Sequence, residues 1–102
     1  MKNFNKLVRD KIPEIIQADG ETPRTRVLGE EEYQAELIRK LYEEVGEFAI
    51  ARNVHELADI LEVVMANAKV IGSTFEEVER VRIEKATDRG AFENRTYLIS
   101  TD

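Results

Sequence analysis

The stretch from Lys40 to Ile71 constrains this chain most. Two helical stretches meet there, and acids stand where apolar residues are expected. At about 100° per residue, Tyr33, Leu37, Leu41, Val45 and Phe48 form one apolar face. Glu44 falls between Tyr33 and Leu37 on that wheel, inside the apolar face, with Glu47 at its margin and Glu43 further round toward solvent. The next helical stretch, Leu57 to Ile71, reads LADILEVVMANAKVI. Ile60, Leu61, Val64, Ala68 and Ile71 cover one side, Val63, Ala66 and Val70 another, and Asp59 projects beside them. A helix apolar nearly all round is buried on several sides. So short a chain has few helices to bury it, and a second subunit is the natural source of the missing cover.

The acids form two patterns, EExxE (Glu43, Glu44, Glu47) and ExxD (Glu56, Asp59). Residues three or four apart on a helix share a face. If the two helices run antiparallel, joined near Asn53, the clusters come opposite each other. Most acidic clusters on helices are solvated faces, and that reading suffices for Glu43. It does not suffice for Glu44, because a carboxylate on a core face is costly unless paired, protonated or metal-bound. A nest of carboxylates without thiols suits a hard cation, Mg²⁺ or Mn²⁺.

Size and charge narrow the classes. The chain has 102 residues, enough for one domain with a modest core. Its formal net charge of −6 argues against nucleic-acid polymers and anionic membranes as partners. Nucleotides stay admissible, because bound metal neutralises their phosphates. The chain has no cysteine, which excludes disulfides, zinc thiolates and cysteine nucleophiles. It shows no signal-peptide core and no membrane-length apolar run, so a cytoplasmic protein is the default expectation.

In chain order, Lys6, Arg9 and Lys11 form a basic patch, and Leu7 and Val8 are expected to dock on the body. A short helix is expected over about residues 12–18, with Pro13 in its first turn and Gly20 as its stop. Residues 24–28 resemble a strand that would pair with residues 95–100 in a two-stranded ribbon. The second helix should run from about Glu30 to Ala51. Gly46 in its middle either admits a close neighbour or is tolerated drift. Asn53 caps the third helix, with Glu56 completing a capping-box pattern that by itself would account for Glu56. His55, the single histidine, points away from the apolar side. Gly72 ends this helix. Ser73 or Thr74 caps the fourth, whose inner side is marked by Phe75, Val78, Val81 and Ile83, and Gly90 stops it.

EExxE followed by ExxD, together with NKLVRDKIPEII at residues 5–16, ELADILEVV at 56–64 and KATDRGAFENR at 85–95, resembles the MazG-like all-α nucleoside triphosphate pyrophosphohydrolases. The likeness is to a small branch labelled phosphoribosyl-ATP pyrophosphohydrolase-like. It implies an all-α, four-helix domain over residues 1–102, assembled as a homodimer or tetramer. It also implies Mg²⁺ (or Mn²⁺) on the acids and cleavage between the α- and β-phosphates of a nucleotide. Carried over by motif, Glu44, Glu47, Glu56 and Asp59 are the metal ligands. Glu43, the leading acid, orients water or stays behind the ligands, and Glu43 and Glu44 are the catalytic candidates. Lys85, Arg89 and Arg95 are candidates to steady the pyrophosphate, with Lys40, Arg9 and Lys11 behind them. Only eight residues separate Glu47 from Glu56, a shorter turn than many relatives have, which leaves the substrate open. Two other readings stand beside nucleotide-pool cleansing: a phosphoribosyl-ATP pyrophosphohydrolase of histidine synthesis, and a catalytically silent helical dimer that senses nucleotides.

Overall fold

The computed structural model describes residues 2–102. It contains four helices: α1 (Ile12–Ala18), α2 (Glu30–Ala51), α3 (Val54–Val70) and α4 (Phe75–Arg89). No strand forms among the described residues, so the class is all-α.

Each boundary has a local cause. Pro13 pre-sets the backbone of the first turn of α1, where its missing N–H costs nothing. Glu30, Glu31 and Glu32 place negative charge at the positive end of the α2 dipole. Arg52 ends α2 in the left-handed region (φ 49°, ψ 54°) and donates its backbone N–H to Phe48. Asn53 then starts α3, its Oδ1 accepting from the Glu56 N–H at 3.0 Å. Thr74 does the same for α4, with Oγ1 accepting from the Glu77 N–H at 3.1 Å. Ser73 assists by donating its hydroxyl to the Glu77 carboxylate. Gly72 (φ +81°) takes the positive-φ turn between α3 and α4.

The short 52–53 turn folds α3 back against α2, and these two helices make the main packing contact of the molecule. The core lies between them: Leu37, Val63 and Ala68 are buried, and so is Glu44. A smaller contact joins α4 to α3, while α1 packs closely against no other helix.

The chain is therefore a helical hairpin with outlying pieces and not a closed four-helix body. Its radius of gyration is 17.8 Å, where a compact chain of this length has about 13 Å. Several expectations are corrected by this. Val45, placed on the apolar face by its period, is exposed, because the buried stripe of α2 runs through Leu37 and Glu44. The inner side assigned to α4 is largely open at Val78, Val81 and Ile83, since α4 meets one helix only. Leu7 is half-buried as expected, but Val8 is exposed. Residues 24–28 and 95–100 form no ribbon. Val27 is 98 % exposed and Ile99 91 %, so neither segment has an apolar surface to lie on. A two-stranded pair without such backing is marginal in water.

Candidate metal centre

The hairpin brings three carboxylates together. Glu44 from the middle of α2, and Glu56 and Asp59 from the first turns of α3, offer oxygens that all lie within 4.8 Å of one another. Antiparallel packing beside a short turn is what sets the ExxD face against the EExxE face. Glu44 reaches this point from inside the stripe that packs on α3, and it is 6 % exposed.

The half of the capping box that fixes Glu56 forms through its backbone alone. Its N–H goes to Asn53, while its carboxylate is turned into the cluster with Oε2 buried and without a hydrogen-bond partner. Glu44 Oε2 is in the same condition. Two carboxylates with orphaned buried oxygens, clustered with a third acid, make an arrangement that costs stability unless a cation completes it. Three carboxylate oxygens this close together would be able to converge on a single cation. The all-oxygen donor set matches a hard divalent ion.

Three cations surround the acids. Lys40, one turn earlier on α2, lies 3.4 Å from both Glu43 Oε1 and Glu44 Oε1. Lys6 reaches Glu43 Oε1 at 3.1 Å, and Arg9 Nη2 reaches Asp59 Oδ1 at 2.6 Å. The effects on the two neighbouring glutamates are opposite. Burial, reinforced by the charges of Glu47 and Asp59, pushes the Glu44 carboxyl above its ordinary value against the pull of Lys40. Partial burial also pushes Glu43 up, but Lys6 and Lys40 together outweigh it and hold its carboxyl below the ordinary value.

The remaining candidates fall outside this core. Glu47 is exposed and stands apart from the trio, close enough for its charge to be felt at Glu44. Glu43, expected toward solvent, is half-buried because the N-terminal arm and Lys40 cover it. Lys11, Lys85, Arg89 and Arg95 are exposed and pair with none of these acids in the single chain. His55 is exposed, in agreement with its place on the wheel. Open space surrounds the position a Cβ would take at Gly46, so no neighbour within this chain requires glycine there. Lys6 joins the site without having been singled out as a binding residue. The signal was its place in the 6, 9, 11 basic patch.

Comparison with known proteins adds little. An uncharacterized protein of Mycolicibacterium smegmatis is 56 % identical over 45 residues, which cover 44 % of this chain and 46 % of that protein. The match thus spans about half the length of either protein. No family model matches the chain, and no solved structure matches it.

Proposed function

We propose that this chain is a Mg²⁺-dependent nucleotide pyrophosphohydrolase that cleaves the α–β phosphoanhydride of a nucleoside triphosphate or a related compound. The observation that carries the reading is the buried Glu44 carboxylate, which has one unpartnered oxygen and clusters with Glu56 and Asp59. A scaffold has no use for such a group, and an acid this deep wants a cation. The resemblance of the two acidic motifs to the MazG-like enzymes supplies the reaction.

Glu44, Glu56 and Asp59 would hold the ion, with Glu47 at the rim. When bound there, such an ion would polarise the phosphoryl oxygens and lower the pKa of a bound water. Glu43, held ionised by Lys6 and Lys40, accepts a hydrogen bond from the attacking water and fixes its direction. Lys40 and Arg9, already beside the acids, balance charge building on the pyrophosphate leaving group.

The active form we infer is a homodimer or a larger assembly. The single chain exposes 9428 Å², where a folded monomer of this mass exposes about 5,900 Å². The surplus exceeds what each partner of an obligate interface contributes. Much of it is apolar: Leu57, Leu61 and Ile71 of the α3 region lie open, as does the groove between α3 and α4 lined by Met65, Phe75 and Ile83.

The test is release of phosphate from a nucleotide panel with Mg²⁺ and inorganic pyrophosphatase present. Phosphate release that needs pyrophosphatase is expected, with nucleoside monophosphate formed alongside and lost when Mg²⁺ is withheld. No release from any nucleotide favours the silent, nucleotide-sensing dimer. Release from phosphoribosyl-ATP alone favours the narrower enzyme.

A further inference from the structure

Among the described residues, side-chain hydrogen bonds are local, with two exceptions. All the others join residues six or fewer positions apart. The two that cross the fold both start in the N-terminal arm, residues 2–11, and both end on the acids: Lys6 on Glu43, 37 positions away, and Arg9 on Asp59, 50 positions away. Little else holds the arm. It has no regular structure through residue 9, only Leu7 within it is half-buried, and the helix it leads into packs closely against no other. Both pairs are partly open to water, with the Arg9 side chain 53 % exposed. Ion pairs of this kind are weak and exchange readily.

We propose that the arm is a cationic latch on the metal centre. In the metal-free protein Arg9 neutralises Asp59. When a divalent ion is bound, Arg9 gives Asp59 up, and its guanidinium is presented to the polyphosphate of the substrate. The inference rests on reading the trio as a metal site, and it assigns the chain an order of binding, ion first and nucleotide second.

The chemistry distinguishes the two arm residues. Asp59 belongs to the trio and is also the partner of Arg9 at 2.6 Å, and a carboxylate whose charge is drawn to a hard cation holds a guanidinium less tightly. Glu43 stands outside the trio, so Lys6 keeps its partner and the arm is loosened without being lost. Arg9 need travel only a short way, since it already touches one ligand of the centre. Its planar fork matches phosphate oxygens in a way that a lysine does not.

The chain has no cysteine, so a nitroxide on Asn3→Cys, an exposed arm position, is a unique reporter of arm mobility. In the labelled parent the spectrum should sharpen as Mg²⁺ is added. In Asp59→Asn it should be sharp already in EDTA. Calorimetry on unlabelled protein supplies the second readout. Arg9→Gln should bind Mg²⁺ about three- to fivefold tighter. With saturating Mg²⁺ it should bind an α,β-imido nucleoside triphosphate about tenfold weaker. Arg9→Lys should restore the parent's Mg²⁺ affinity and only part of its nucleotide affinity. No Mg²⁺ uptake by the parent overturns both the metal reading and the latch. Mg²⁺ uptake without a change in arm mobility overturns the latch alone, as does an Arg9→Gln protein that matches the parent in both affinities. If Arg9→Gln does not fold, the mobility of the parent and of Asp59→Asn decides.

Discussion

A buried carboxylate shows its cost in how stability depends on pH. The native state holds the Glu44 proton more tightly than the unfolded chain does, because burial and neighbouring acids raise its pKa. Between the ordinary glutamate value and that raised value the native state binds more protons. Stability contributed by this group is therefore lost as pH rises through the window. Glu43, with its carboxyl held low, has the opposite sign and loses its contribution as pH falls. Comparing the parent with Glu44→Gln isolates the first effect. In EDTA at neutral pH the mutant should melt higher than the parent, and the gap should close as pH falls to the ordinary glutamate range. Mg²⁺ should raise the melting temperature of the parent and leave the mutant where it was. Asp59→Asn tests chemistry instead. Its pair with Arg9 is partly exposed, so breaking it should change stability by no more than about 1 kcal/mol. Nucleotide turnover should drop by at least about a hundredfold, given one fewer charged ligand for the activating ion. A clearly destabilised Asp59→Asn that still turns over nucleotide at the parental rate would mean that Asp59 is structural.

At the scale of elements, the start of α3 bears on both fold and site. Asn53 satisfies a backbone donor at the residue whose carboxylate completes the trio. Asn53→Ala should cost about 1 kcal/mol in chemical denaturation, as an N-cap loss does. Thr74→Ala should cost a similar amount at α4. Only the first should also weaken the Mg²⁺-induced melting shift, because α4 contributes none of the three acids. The helices themselves were legible in the sequence. Pro13, the acid-rich turn at Glu30, Asn53, Gly72 and Gly90 are chemical punctuation, and the helices begin and end beside them. The burial of Glu44 was legible too, since its place on the wheel follows from period alone. The unpaired state of residues 24–28 and 95–100 was not. Alternation in a short segment reports a preference for extended backbone, and whether a partner lies alongside depends on packing that the segment does not encode. The partners of Glu43 and Asp59 escaped for a related reason. Lys6 and Arg9 lie 37 and 50 residues away, and no periodicity links the arm to the hairpin.

The whole molecule carries a surface it cannot keep wet. The extents are 59 × 32 × 25 Å, and the backbone groups that stand clear of the hairpin bear Phe92, Tyr97, Leu98 and Ile99, all exposed. Sedimentation at micromolar concentration should find a dimer or larger species, and a stable monomer would remove the case for assembly. The hairpin carries a separate consequence, one of timing. Glu44, Glu56 and Asp59 are supplied by two helices that adjoin in sequence across the 52–53 turn. Contacts so close along the chain cost little loop-closure entropy and form early. The acids are thus brought within range of one another while α1, α4 and the C-terminal residues are still unplaced. Their mutual repulsion acts at the barrier to folding as well as in the finished structure. Mg²⁺ should accordingly steepen the approach to the native state, raising the refolding rate in stopped-flow and not merely slowing escape from it.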